Sequence, residues 1–361
     1  MRGMMISSAF SSNKFPKTTL KRGTRNDIRL TRLTRQTRLF FFAATFVLTQ
    51  PPFAAALVPQ PPVELTGTHG KFDFIKVDSA RGRLLACHTG NNSLDVIDLA
   101  TSKLLKSIPT GAAQGVAIDD KGGRYFVSVS KPPQLVIIDA TKLEATGTVT
   151  LSGPADVCTY SAALNRVVVD NDGKPEQWWV DPNPKKVFSA VTFGGTGMED
   201  LAFDDKGTLL VQNLKDANLL AVVEPADDTK GGLIKQNWPT APAEKPHGLA
   251  MIGGDLVLIA GGNGKLVLLN YRTGNVLAAT SIAIRVDEIA YDPVSSEAFC
   301  ASGTGVISVV DVDKAALKTT GSIPSAQGAH SIAVDPKTHT VWIVFAKGDK
   351  AYVQSFLAGG H

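Results

Sequence analysis

The chain has 361 residues, long enough for one large domain or two, with 37 Lys and Arg against 33 Asp and Glu and a formal charge of +4. Ten of the bases lie in residues 1–38 beside a single acid, Asp27; setting them aside leaves 27 basic and 32 acidic residues, a charge of −5. No Lys/Arg run interrupts residues 57–361, so nucleic acid, which is held largely by phosphate neutralisation, is excluded as an expected partner of that part.

Residues 1–56 read as a basic leader and signal peptide. The basic stretch is followed by the apolar run Leu39–Leu48, by Gln50-Pro51-Pro52 and by Ala54-Ala55-Ala56, an A-x-A cleavage signal. The apolar run is half the roughly 20 residues that a spanning helix needs. The expectation is export to the periplasm or out of the cell, with no stable membrane insertion after cleavage.

From residue 57 one pattern comes round seven times. An apolar strand ends at an anchor, a turn leads to a second apolar strand, and a third strand ends in Asp or an equivalent. The clearest copy runs from Gly115-Val116-Ala117-Ile118-Asp119 through Arg124-Tyr125-Phe126-Val127-Ser128 to Gln134-Leu135-Val136-Ile137-Ile138-Asp139. The anchors are Asp78, Asp119, Tyr160, Asp204, Ile252, Asp292 and Asp335, with spacings of 41, 41, 44, 48, 40 and 43. The longest spacing holds the polar insertion Pro225–Gly232, read as a surface loop. A period in the forties built only of short strands predicts an all-β, seven-bladed β-propeller of four-stranded blades over 57–361.

The second strands are near-continuously apolar, as in Arg166-Val167-Val168-Val169-Asp170 and Thr340-Val341-Trp342-Ile343-Val344, which suits strands packed on both faces between neighbouring blades. The third strands end in Asp98, Asp139, Asp181, Glu224, Asn270 and Asp311, side chains that accept turn N–H groups and carry no chemistry. Trp178 and Trp179 alternate on a strand, so one is expected to face out. Cys87, Cys158 and Cys300 fall in three different blades and are expected as buried, unpaired thiols.

The seventh repeat lacks a fourth strand after Ala351–Phe356, while Val63-Glu64-Leu65-Thr66-Gly67 precedes the first anchor with no blade of its own. The N-terminal strand is therefore expected to complete the last blade and remove its free edge. A monomer is expected.

Leu94-Asp95-Val96-Ile97-Asp98-Leu99-Ala100-Thr101-Ser102-Lys103 with Ile108-Pro109-Thr110-Gly111, and His330-Ser331-Ile332-Ala333-Val334-Asp335-Pro336-Lys337-Thr338, resemble the repeats of the YVTN, or YncE-like, β-propellers. The tetrapeptide that names that family is absent, and the corresponding positions read Tyr125-Phe126-Val127-Ser128. WD40 repeats match less well, because the Gly-His and Trp-Asp pairs are missing. The resemblance implies an exported bacterial propeller, usually without assigned catalysis.

The candidate site follows from the alignment. Loops entering each first strand, and loops between second and third strands, open on one face around the central channel. Five positions before each anchor stand Asp73, Gln114, Ala155, Glu199, His247, Asp287 and His330. The next positions carry Phe74, Gly115, Asp156, Asp200, Gly248, Glu288 and Ser331. His88, beside Asn91 and Asn92, is placed in a loop on the same face. The expected ligand-binding set is Asp73, His88, Gln114, Asp156, Glu199, Asp200, His247, Asp287, Glu288 and His330, binding an unidentified small molecule or protein without catalysis. No cofactor is expected, although converging carboxylates and imidazoles could hold a divalent metal. The alternative is therefore a metal-dependent hydrolase or lactonase using Glu199, His247, Asp287 and His330. Gly194–Gly197 and Gly261–Gly264 do not sit between a strand and a helix, so phosphate cradling is not expected.

Overall fold

A computed structural model describes residues 57–195, 197–226 and 231–358. The expected leader and signal peptide, and residues 227–230 of the polar insertion, lie outside the described residues. The described chain is all-β, seven antiparallel sheets in a ring, one per repeat. Blade 1 holds Ile75–Asp78, Arg83–His88, Ser93–Asp98 and Leu104–Pro109 in that order from the channel outward. Blades 2 to 6 repeat the order, their first strands being Ala113–Asp119, Ala155–Ser161, Met198–Phe203, Pro246–Gly253 and Val286–Asp292. Blade 3 is irregular, as its sequence suggests: its outer strand is broken into Lys186–Val187 and Val191–Thr192, both paired with Glu176–Asp181.

Blade 7 is closed from the other end of the chain. Its own strands are Ser331–Asp335, Thr340–Lys347 and Lys350–Leu357, and the outer position is taken by Val58–Pro59 and Val63–Glu64, antiparallel to the last of these. The expected closing strand Val63–Glu64 is in place, and Val58–Pro59 extends it.

The apolar runs are explained by where alternate side chains go. In Arg83–His88, Leu84 and Ala86 pack with Trp342 and Val344 of blade 7, while Leu85 and Cys87 pack with Tyr125 and Val127 of blade 2. Each interblade gap is filled in this way by its own hydrophobic cluster. The same geometry corrects the expectation that one tryptophan faces out. Trp178 and Trp179 do point to opposite faces, but each face is covered by a neighbouring blade, and both rings are buried. Cys87, Cys158 and Cys300 are buried and free.

The anchor aspartates cap turns and latch blades together. Asp78 Oδ1 accepts the Arg81 backbone N–H at 3.1 Å, and its Oδ2 accepts the Tyr125 hydroxyl of blade 2 at 2.6 Å. Asp292 Oδ2 lies 2.7 Å from His339 Nδ1 of blade 7. The third-strand ends do the same for their own turns: Asp139 Oδ1 accepts from the backbones of Thr141 and Lys142. Tyr125 is fully buried, and Tyr125→Phe removes the hydroxyl that donates to Asp78 Oδ2 and accepts from Arg83 Nη1, leaving that carboxylate oxygen with the Arg81 guanidinium at 3.0 Å. The expected cost is about 1–3 kcal/mol, read as a lower urea midpoint with an unchanged m-value.

Candidate functional site at the channel mouth

The first strands of blades 2 to 6 all break register near the channel mouth, between Ala113 and Gly115, Ala155 and Cys158, Met198 and Leu201, Pro246 and Leu249, and Val286 and Ile289. A bulge re-aims the residues it contains. Here the first ring position faces the mouth in most blades, Ala155 being buried, while at the second position Asp200 and Glu288 both border the cavity and reach the neighbouring blade. Asp200 Oδ2 accepts the Leu249 backbone N–H of blade 5 at 3.0 Å, and Glu288 Oε2 accepts that of Ile332 in blade 7 at 3.2 Å. Where this second position is glycine, backbones close in: a Cβ on Gly115 would lie 2.7 Å from the Cys158 nitrogen, and one on Gly248 would lie 2.8 Å from the Asp287 carbonyl.

Eight of the ten expected residues line one cavity of about 260 Å³: Asp73, Gln114, Asp156, Glu199, Asp200, His247, Asp287 and Glu288. His330 stands at its edge, in an adjoining pocket that also includes His247 and Asp287. His88 is not at the mouth. It is fully buried at the end of its strand, stacked on Phe72 at a centroid separation of 3.8 Å, with Nδ1 2.7 Å from Asp95 Oδ2. The loop after it opens on the expected face, but its ring turns into the blade.

A line of alternating charge crosses the mouth. Lys215 Nζ pairs with Glu199 Oε1, and Glu199 Oε2 lies 3.2 Å from His247 Nδ1. His247 Nδ1 is 3.0 Å from Asp287 Oδ1, and Asp287 Oδ2 is 2.8 Å from His330 Nδ1. Neither imidazole Nδ1 reaches a hydrogen-bonding angle, so these contacts are charge pairing. Burial works against the His247 cation, but Asp287 and Glu199 outweigh it and lift the ring to about 9. Asp287 lifts His330 as well, against the cost of burial. Burial likewise opposes ionisation of Asp287, and the two histidines overcome it, holding the carboxyl far below the usual range. Second-strand amides hold this line from behind: Gln212 Nε2 donates to the Glu199 carbonyl and Asn213 Nδ2 to the His247 carbonyl, each at 2.7 Å.

The other carboxyls lack such partners. Burial pushes Asp73 up to about 6 and Asp200 to about 7, and moves Asp156 and Glu288 well above the carboxylate range. The Gln114 amide, with its nitrogen toward Asp73, donates to Oδ2 at 2.9 Å. Seven carboxyl-bearing residues line the cavity, against Lys71 and His247. Their mutual repulsion and desolvation are relieved by protons or by a cation.

Lys71, Asp172 and Lys215 belong to the site and were not among the expected residues. Asp172 and Lys215 follow second strands, in loops of the class that suggested His88, so the same rule applied to blades 3 and 4 would have found them. Glu199, His247 and Asp287 each place a ligating atom within 4.8 Å of the others, a set able to hold a metal ion.

No family model and no curated protein matches the sequence. Solved structures do match in backbone. The chain is similar to one titled crystal structure of RRP9 WD40 repeats, with a TM-score of 0.69 and 10% identity over 83% of this chain and 99% of that one. A chain of a mitotic checkpoint complex gives a TM-score of 0.71 and 12% identity over 90% and 99%. A chain of Kuenenia stuttgartiensis hydrazine synthase gives 0.64 and 12% over 81% and 98%. At these identities the likeness shows the β-propeller fold alone.

Proposed function

We propose that this propeller is a non-catalytic binding module that captures a positively charged group at the channel mouth, on a partner protein or a small molecule, and that it works after export to the periplasm or the cell exterior. The YncE-like repeat pattern and the basic, apolar and Ala-x-Ala order of residues 1–56 support export. The capture reading is carried by one observation: a cavity lined by seven carboxyl-bearing residues and two cationic ones. A planar guanidinium suits such a site, because it pairs with carboxylates through two parallel N–H donors.

The test uses N-acetyl-arginine amide, with N-acetyl-citrulline amide as the neutral isostere. The arginine probe is expected to bind and the citrulline probe to fail. Asp287→Asn or Glu199→Gln should weaken binding about tenfold or more. Equal behaviour of the two probes, or no binding of either, removes the reading. Affinity should also rise from pH 5 to pH 8, because protons on Asp73 and Asp200, held to about 6 and about 7, compete with the ligand cation.

A second reading rests on the Glu199–His247–Asp287 cluster: a bound divalent metal, and with it hydrolysis of a lactone by a metal-activated water. Elemental analysis of purified protein, followed by zinc titration in a thermal melt, separates the two. Absence of metal together with an unchanged melt leaves the cation-capture reading alone.

A further inference from the structure

The channel mouth is one end of a longer trough. A pocket of about 380 Å³ shares His247 and Asp287 with it. A third, of about 920 Å³, shares Arg285, Gly303 and Gly328 with the second and runs out to Pro59, Pro62, Pro324 and Phe345. The three therefore form a continuous radial path from the channel, over the junction of blades 5, 6 and 7, to the closing strand.

The floor of this path is bare backbone. A Cβ on Gly303 or Gly328 would meet nothing within 4 Å. Their amides are already spent on the scaffold, Gly303 N–H on the Arg285 carbonyl at 3.2 Å and Gly328 N–H on the Gly303 carbonyl at 3.0 Å. A shallow floor fixed in this way admits another main chain lying flat across it. The walls change character along the path. The inner end is anionic. The middle carries Arg285 and Lys245, both exposed and neither within ion-pairing distance of an acid among the described residues. The outer end carries the exposed prolines Pro59, Pro62 and Pro324 next to the largely buried Phe345, with Lys347 and Gln354 at its margin.

We propose, resting on the cation-capture reading, that the ligand is an extended peptide: a basic side chain enters the channel mouth, an acidic one meets Arg285 and Lys245, and an apolar one rests on the outer prolines. Three strand-to-strand steps of about 4.8 Å separate the first strand of a blade from its outer strand, a span of about 14 Å. An extended chain covers it in about four residues at roughly 3.4 Å each. That spacing sets the basic, acidic and apolar residues two apart. A nucleic acid does not fit the anionic end of this charge order, and an anionic end beside a cationic middle argues against a lipid surface.

The probes are acetyl-Arg-Ala-Glu-Ala-Leu-amide and the reverse order, acetyl-Leu-Ala-Glu-Ala-Arg-amide, because the trough does not fix chain direction. Fluorescence anisotropy of labelled copies is compared with binding of N-acetyl-arginine amide. One pentapeptide is expected to bind about tenfold or more tighter than the single residue. Gly303→Phe puts a ring over the floor, its Cβ meeting nothing within 4 Å and its φ outside the left-handed region. It should erase that gain while leaving the melting temperature and the arginine-amide affinity unchanged. Arg285→Glu should weaken the Glu-bearing peptide, and a Lys in place of that Glu should restore it. Pentapeptides no tighter than the single residue, or a gain that survives Gly303→Phe, overturn the trough while the mouth reading stands. Failure of the arginine amide itself overturns both.

Discussion

Removing residues 57–66 should unfold the propeller rather than trim it. This short segment joins the two ends of a chain whose blades otherwise follow one another in sequence. Val58 and Pro59 pair with Leu357 and Phe356, and Val63 and Glu64 with Val353 and Tyr352. Gln60 N–H donates to the Ser355 carbonyl and Leu65 N–H to the Ala351 carbonyl, both at 2.9 Å. Leu57 is buried in the cluster between blades 6 and 7, and Leu65 in the cluster between blades 7 and 1. Loss of each buried leucine costs about 2–5 kcal/mol, before the newly bared edge of Lys350–Leu357 is counted. The sum is comparable with the whole stability of a typical domain, about 5–15 kcal/mol. The truncated chain is expected to lose its cooperative melt or to aggregate, and Leu65→Ala alone to lower stability by about 2–5 kcal/mol. An unchanged melting temperature after truncation would refute closure by this segment.

The ring was legible because its parts repeat. Seven anchors in the same phase locate the first strands, and runs such as Arg166–Asp170 reveal strands covered on both faces. The count of blades, their four-stranded build and the closing strand Val63–Glu64 follow from those two regularities. At the channel mouth the same register located Asp73, Glu199, His247 and Asp287 around one cavity. What the register could not supply was side-chain direction. A bulge is an extra residue in one strand with no fixed sequence mark, so the division of work between Glu199 and Asp200, or Asp287 and Glu288, was hidden. His88 was misplaced for a related reason. Strand pairing sets His88 opposite Ser93, which brings Asp95 within reach and rewards burial of the ring against Phe72. The tryptophans show the reverse case, where the alternation was right and the coverage of both faces by neighbouring blades decided the outcome.

Without ligand, the folded protein should lose stability as pH rises from about 4.5 to 8. Asp73 and Asp200 ionise near 3.8 when unfolded and near about 6 and about 7 in the ring, because burial opposes their charge. The folded state therefore holds more protons than the unfolded state across that interval, and stability falls through it. His247 adds to the trend at its upper end. Its folded value of about 9 lies above the unfolded 6.5, so its contribution is complete below 6.5 and fades as pH passes 9. Asp287, held low by its histidines, acts oppositely, but only in strong acid. A displacement of two to three pH units corresponds to about 3–4 kcal/mol per group, reduced where water reaches the carboxyl. Urea midpoints measured at pH 4.5, 6 and 8 should decline in that order, and Asp73→Asn, which cannot ionise, should flatten the decline between 4.5 and 6. A midpoint that climbs with pH would mean that the ring carboxylates are already neutralised. Saturating arginine amide should flatten the profile as well, since a bound cation takes the place of the protons. A ligand that raised stability equally at pH 4.5 and pH 8 would be held somewhere other than among these carboxyls.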